Sequence, residues 1–194
     1  MNEILDLLKN VEQDLYSTVS LHKEETLFRE GDLCEEIGII TQGEIAIISY
    51  LEDGSEIIYN RLGRGGIFGN NLVFSTEPYY KGNIIAQTDT SITLVKKQDL
   101  LHLLETNKEF MLEYMKILSD QGKQLNTRIR LLSMSSAEER LFYYMHEHKR
   151  RITVSSISDL ARDLFLTRET LSRLLSRLSE EKRILRDGKD IRLL

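Results

Sequence analysis

From about residue 20 to residue 97, glycines at 31, 43, 54, 63, 65, 66, 69 and 82 cut the chain into short runs rich in β-branched and apolar residues. Ile37–Ile40, Glu44–Tyr50 and Ser91–Val95 are such runs, and short strands at this spacing predict an antiparallel barrel or sandwich. Asp53-Gly54, between Ile45-Ala46-Ile47-Ile48 and Ile57-Ile58-Tyr59, predicts a two-residue hairpin turn with both turn residues at positive φ. Barrels of this kind often enclose a small ligand. Gly63-Arg64-Gly65-Gly66 opens no helix and reads as a barrel turn rather than a phosphate loop.

Near Gln98 the texture changes to helix. Gln98–Leu104 predicts a short one, and Lys108–Ser133 a long one broken only by Gly122. Phe110, Tyr114, Ile117, Leu118, Leu125, Ile129 and Leu132 recur at steps of three and four and predict one apolar stripe, interrupted at Gln121. A helix of about six turns overshoots a compact domain, which favours pairing with a second copy in coiled-coil fashion. A further helix is expected over Glu138–His148, then a short strand or loop over Arg151–Val154.

The C-terminal part carries the signature of a DNA-reading module. Ser156-Ile157-Ser158-Asp159 has the form of a capping box, in which the hydroxyl takes a free backbone N–H and the acid reaches back. That helix is expected to end near Leu164, with a turn at Phe165-Leu166, Thr167 as the next N-cap and a second helix to about Ser179. Leu171, Leu174, Leu175 and Leu178 form its inner face, leaving Arg168, Glu169, Ser172, Arg173 and Ser176 on the side that suits a major groove. Arg can bridge guanine O6 and N7, and Glu can accept from cytosine N4, so Arg168, Glu169 and Arg173 are the predicted base readers. Thr167, Thr170 and Arg177 are placed for phosphates, as are Arg186, Lys189 and Arg192 of a basic hairpin around Asp187-Gly188-Lys189.

Charge agrees with this division. The net charge is −5, but residues 140–194 hold 13 Lys and Arg against 8 Asp and Glu, so the acidic excess lies in residues 1–139 and leaves the basic segment to approach phosphates. A single cysteine, Cys34, permits neither an internal disulfide nor a thiolate cluster, fits a reducing compartment and reads as a small buried hydrophobe. No apolar run reaches the length of a membrane span, and Met1-Asn2-Glu3-Ile4 lacks the features of a signal peptide, so the expected location is the cytoplasm, away from any membrane. Paired carboxylates in a defined loop, a nucleophile elbow and metal-spaced His and Cys are all missing from the sequence, so no catalytic residue, no metal site and no enzyme activity is expected.

Taken together, these residues resemble the Crp/Fnr family, that of the catabolite activator protein and the fumarate-nitrate regulator. Arg168-Glu169-Thr170-Leu171-Ser172-Arg173 resembles that family's base-reading motif. Phe28-Arg29-Glu30-Gly31-Asp32, Gln42-Gly43-Glu44, Glu52-Asp53-Gly54-Ser55-Glu56 and Gly66-Ile67-Phe68-Gly69 follow its glycine framework. The resemblance implies an α+β chain: a cyclic-nucleotide-binding-like jelly-roll barrel over 1–107, a long dimerisation helix over 108–136, and a winged helix-turn-helix over 137–194. It implies a homodimer on a palindromic double-stranded operator, with RNA polymerase a further partner of members that activate.

Two departures bear on the effector. Cyclic-AMP-binding members have a Glu after Phe-Gly that holds the ribose and, ten residues on, an Arg that pairs with the phosphate; here Asn70 and Tyr80 stand at those positions, with Lys81 where Ser is usual. A tyrosine cannot replace a permanent bidentate cation, which argues against cyclic AMP. The expectation is a different small effector, or none. Asn70, Asn71, Tyr79, Tyr80, Lys81, Asn83, Gln121 and Asn126 are the candidate pocket residues. Cys34 alone excludes a four-cysteine iron–sulfur cluster, and His146 and His148, two apart on a helix, face different ways and do not support haem. Phe165 occupies a turn position where the family usually has Gly, and a bulky residue there predicts an altered turn without positive φ. The competing reading is a cyclic-nucleotide-type sensor acting through a protein partner.

Overall fold

The computed structural model describes residues 3–8 and 12–194; the remainder, including Met1 and Asn2 of the expected first domain and of the N-terminal signal-peptide reading, lies outside the described residues. The chain divides into two compact units, Met1–Ser119 and Asp120–Leu194.

The first unit opens with a short helix α1 (Glu3–Leu8) whose Ile4, Leu5 and Leu8 join the core. Eight strands follow: β1 (Ser17–Leu21), β2 (Thr26–Phe28), β3 (Glu36–Gln42), β4 (Glu44–Tyr50), β5 (Glu56–Gly63), β6 (Ile67–Phe68), β7 (Asn83–Ala86) and β8 (Thr90–Lys96). They form two four-stranded antiparallel sheets, ordered β1-β8-β3-β6 and β2-β7-β4-β5. β3 and β4 are buried along most of their length, so Ile37, Ile39, Ile40, Ile45 and Ile48 fill the interior as near-continuous apolar runs. Gly38 lies opposite Phe68 in the β3–β6 ladder, and a Cβ on it would stand 2.0 Å from the tip of the Phe68 ring. The missing side chain is the space that the ring fills. Phe68 in turn meets Phe28 edge-on at 6.3 Å, and Phe28 stacks on Tyr80 at 4.9 Å, giving three aromatic rings in series inside the barrel.

The β4–β5 connection differs from the expected two-residue turn. Tyr50 pairs with Glu56, leaving a five-residue loop in which Gly54 is at φ +80° while Asp53 is not at positive φ. The Asp53 carboxylate instead accepts from the Ser55 amide (2.9 Å) and hydroxyl (2.6 Å), a local bond that competes with the tight turn. β5 is an edge strand, and a register shift at Ile47/Ile48 accompanies a run, Ile57, Ile58 and Tyr59, that is exposed throughout.

After α2 (Lys97–Thr106) comes α3 (Lys108–Ser133), the long helix with the expected ends. Its apolar residues do not form one covered stripe. Phe110 and Tyr114 are buried in the first unit's core, with Ile117 and Leu118 half-buried against it. Leu125, Ile129 and Leu132 are 54–59% exposed, as is Met115. The reason is position along the helix: Leu125, Ile129 and Leu132 lie within about 60° of Tyr114 around the helix, but past Ser119, where the first unit ends.

The second unit contains the rest of α3, then α4 (Ala137–Glu147), β9 (Arg151–Thr153), α5 (Ile157–Asp163), α6 (Arg168–Glu180), β10 (Ile184–Asp187) and β11 (Asp190–Leu193). α4 starts on a complete capping box between Ser136 and Glu139. Leu131, Leu141, Met145, Leu160, Leu164, Leu171, Leu175 and Leu178 make the core, closed by Ile184 and Ile191 of a β10-β11-β9 antiparallel sheet.

Gly38→Ala is expected to lower the stability of the chain by about 1–3 kcal/mol through overpacking against Phe68, read as a reduced urea midpoint.

Candidate nucleic-acid interface

α5, a short turn and α6 form a helix-turn-helix. At the start of α5 the Ser156 hydroxyl accepts from the Asp159 amide (3.1 Å), as the sequence predicts. Asp159 does not return the bond to the backbone; its carboxylate takes the hydroxyls of Ser156 (2.7 Å) and Ser155 (2.8 Å), which hold it below the usual carboxylate range. Thr167 caps α6 by accepting from the Thr170 amide (3.1 Å), and its own hydroxyl donates to that of Thr170 (2.9 Å). Both predicted phosphate threonines are therefore tied to each other at the helix N-terminus, where backbone N–H groups also favour an anion.

The turn between the helices contradicts the sequence expectation. Phe165 adopts φ +55°, the left-handed conformation a glycine would take. A Cβ in that region costs about 1–2 kcal/mol, so the surroundings must hold it. They do so through Arg140 of α4. Its guanidinium donates to the carbonyls of Phe165 (3.1 Å) and Leu164 (3.5 Å), and through Nε and Nη2 to the carbonyl of Met134 (3.3 and 3.1 Å) just past α3. Nothing in the sequence points to this residue, because its partners are backbone carbonyls up to 25 positions away.

On α6 the four leucines 171, 174, 175 and 178 face inward at no more than 7% exposure. Arg168, Glu169, Ser172 and Arg173 are all exposed and line one shallow concavity. None of Arg168, Glu169 and Arg173 forms an ion pair among the described residues. Arg177 is different: it holds Glu138 at 2.6 Å and lies 3.9 Å from Glu181, while Arg183 grips the same Glu138 at 2.6 Å. Glu138 thus bridges α6 to the segment before β10, a role its place at the start of α4 gave no sign of.

The hairpin β10–β11 turns at Gly188-Lys189, with Asp187 opposite Asp190. Arg186 and Lys189 are exposed. Arg192 lies 3.8 Å from Asp190, a carboxylate already bound by Arg151 at 2.7 Å and by the Thr153 hydroxyl. These donors hold Asp190 below its ordinary pKa.

In the first unit the candidate effector residues do not share one wall. Tyr80 points into the core, 3% exposed, while its neighbours Tyr79 and Lys81 are exposed. Burial pushes the Tyr80 phenol well above its usual range, and its hydroxyl lies beside the Cys34 sulfur, with no oxygen or nitrogen partner among the described residues. Cys34 is itself buried, its thiol raised by burial and directed at the carbonyls of Glu36 and Gly69. Asn70 is buried too, and its carbonyl accepts from the Tyr114 hydroxyl (3.2 Å), which burial raises to about 12 and so keeps a donor. The Asn83 side chain is spent at both ends, accepting from the Glu30 amide and donating to the Ile48 carbonyl. Asn71 is exposed, and Gln121 and Asn126 lie on α3 in the second unit. No group of His, Cys, Asp and Glu that could hold a metal occurs among the described residues, and none of their helices is long and apolar enough to cross a membrane.

The family model of the cyclic nucleotide-binding domain matches residues 18–107. The anaerobic regulatory protein of Bacillus subtilis is 25% identical over 91% of this chain and 80% of its own length. The fumarate and nitrate reduction regulatory protein of Escherichia coli K12 is 27% identical over 96% of this chain and 77% of its own. Residues 18–107 form a cyclic nucleotide-binding domain, and the chain is similar over nearly its whole length to regulators of the Crp/Fnr type. Among solved structures, FixK2 from Bradyrhizobium japonicum shares the fold at a TM-score of 0.60 and 22% identity, covering 92% of each chain. The relatives are named as regulators, and the α+β architecture, with a nucleotide-binding type of sheet domain and a helix-turn-helix, is the one they share with this chain.

The Asp190 shift has a definite sign. A depressed carboxylate contributes stability that is present above its ordinary pKa of 3.8 and is lost as pH falls through the lower, folded value. The protection factor of the Ile191 amide, its exchange rate corrected for the intrinsic pH dependence, is expected to fall below pH 3.8 in the full chain, and Asp190→Asn to abolish that acid dependence.

Proposed function

We propose that this chain is a Crp/Fnr regulator, a cytoplasmic homodimer that binds a palindromic DNA site, with two copies of α6 entering successive major grooves about 34 Å apart. The observation that carries this reading is the outward face of α6. Its Arg168, Glu169 and Arg173 sit together, exposed and uncommitted to ion pairs among the described residues, whereas the neighbouring Arg177 and Arg183 are held by Glu138. Arg168 and Arg173 supply bidentate donors for guanine, and Glu169 an acceptor for cytosine N4. Thr167, Thr170, Arg186, Lys189 and Arg192 contact phosphates; Arg177 joins them by releasing Glu138.

The second copy is supported by the uncovered face of α3. Exposed Met115, Gly122, Leu125, Ile129 and Leu132, with half-buried Leu118, step alternately by three and four, the spacing of a two-helix seam. A Cβ on Gly122 would meet nothing, so the helix is open at the middle of that seam. RNA polymerase is the further partner if the protein activates.

Cyclic AMP does not fit the first unit. Its phosphate would need a permanent cation where Tyr80, a neutral phenol, is packed against Phe28 in the core. The reading is of regulation by another small effector or by abundance alone, and of the polar residues around Asn70 only exposed ones, Asn71, Tyr79 and Lys81, face solvent.

Selection from random duplexes is expected to recover a palindrome. Arg168→Ala and Arg173→Ala should each weaken binding to it by about 1–3 kcal/mol, and Arg186→Ala should lower the salt slope by about one instead. Failure of the intact protein to prefer any sequence would end the DNA-reading proposal. Replacing Leu125 and Ile129 together by Asp should turn a sedimenting dimer into a monomer; a monomeric parent protein at all concentrations would end the homodimer reading.

A further inference from the structure

We infer that Arg140 is a positioning residue for DNA reading: it holds the left-handed Phe165 turn, and through it the angle at which α6 presents Arg168, Glu169 and Arg173. The inference rests on the reading of α6 as the DNA-contacting helix.

Three observations combine. Phe165 is at φ +55°, a conformation that a phenylalanine leaves for the extended or right-handed regions when nothing opposes it. Its ring does little to oppose it, being 41% exposed. The opposing contact is made by the backbone: Arg140 Nη1 takes the carbonyls on both sides of the Leu164–Phe165 peptide link, while Phe165 N–H bonds to Arg162 and Leu166 N–H to Ala161. Leu164, which caps the end of α5, and the turn residue Phe165 are therefore fixed by one planar guanidinium.

That guanidinium is not free to drift. Its Nε and Nη2 both donate to the Met134 carbonyl, in the short link between α3 and α4. Arg140 is also held along its own helix, three residues into α4 behind the Ser136–Glu139 capping box. The fork geometry of arginine is what allows one side chain to serve carbonyls on two sides; a lysine offers a single point of attachment. The leucine face tolerates small changes of angle at modest cost and the Glu138–Arg177 pair holds only the far end of α6, so the turn sets where the three reading side chains near its start stand. A displacement of about 1 Å is enough to break bidentate contacts of this kind.

Arg140 touches no base and no phosphate in this scheme, and the link it grips follows α3. Any change in the course of the chain at Met134 would reach the reading helix through the same side chain.

The test uses the full-length protein and the duplex recovered by selection, and if the intact protein recovers no duplex it is the DNA-reading proposal that falls. Given such a duplex, Arg140→Gln is expected to weaken specific binding by about tenfold or more while leaving the salt slope unchanged, because no phosphate contact is lost. Phe165→Gly alone is expected to bind within about twofold of the parent, since glycine takes positive φ without help. Combined with Arg140→Gln, it should recover most of the lost affinity even though the hydrogen bonds of Arg140 remain absent. If Arg140→Gln does not fold, judged by its thermal transition, Arg140→Lys is read in the same way. Binding by the folded variant within twofold of the parent would overturn the inference, and so would a double variant as weak as the single one.

Discussion

Burial of the four leucines on one side of α6 is the interaction on which the DNA-facing surface depends. Each buried leucine contributes about 1.5–3 kcal/mol, so together they rival the net stability of an ordinary domain. With Leu171, Leu174, Leu175 and Leu178 inside, the helix has no freedom over which residues it shows outward. Thr167 then fixes where the helix begins, and Glu138 fastens its far end by way of Arg177. The three reading residues stand exposed at the start of the helix, while Arg177 nearer its end is drawn to Glu138.

The first unit shows the opposite outcome for a polar position. In the family's cyclic-AMP-binding members a cation stands where this chain has Tyr80, and here the ring has become part of an aromatic series with Phe28 and Phe68. Gly38 makes the series possible by leaving room for Phe68. At this position the chain has a ring packed in the core in place of a charge. The framework of glycines and strands survives because it serves the fold, whatever the ligand.

The sequence was informative where one local force dominates. The ends of α3 and β4, the Thr167 cap and the inner face of α6 follow from periodicity and capping chemistry alone. It was misleading where two forces compete. At Asp53 a side-chain bond to Ser55 outweighed the preference for a tight turn. At Phe165 the intrinsic aversion to positive φ was outweighed by bonds from Arg140 that no local pattern announces. The spacing of the apolar residues of α3 shows one side of a helix but not how far along it the first unit's core reaches, so it did not tell buried Tyr114 from exposed Leu125. The eight effector candidates were grouped by chemistry and resemblance, and adjacent positions on an extended chain point opposite ways, which parted Tyr80 from Tyr79 and Lys81.

The edge strand β5 carries a consequence for how this protein behaves in a crowded solution. Ile57, Ile58 and Tyr59 are exposed on a strand at the edge of its sheet, the combination that recruits other chains into intermolecular sheets. The connecting loop places Glu52, Asp53 and Glu56 beside them. Two such edges brought together in parallel would also bring these carboxylates near one another, so the acidic charge at the start of β5 opposes in-register stacking of the edges. That negative charge protects solubility, and neutralising it would favour aggregation before it disturbed the fold.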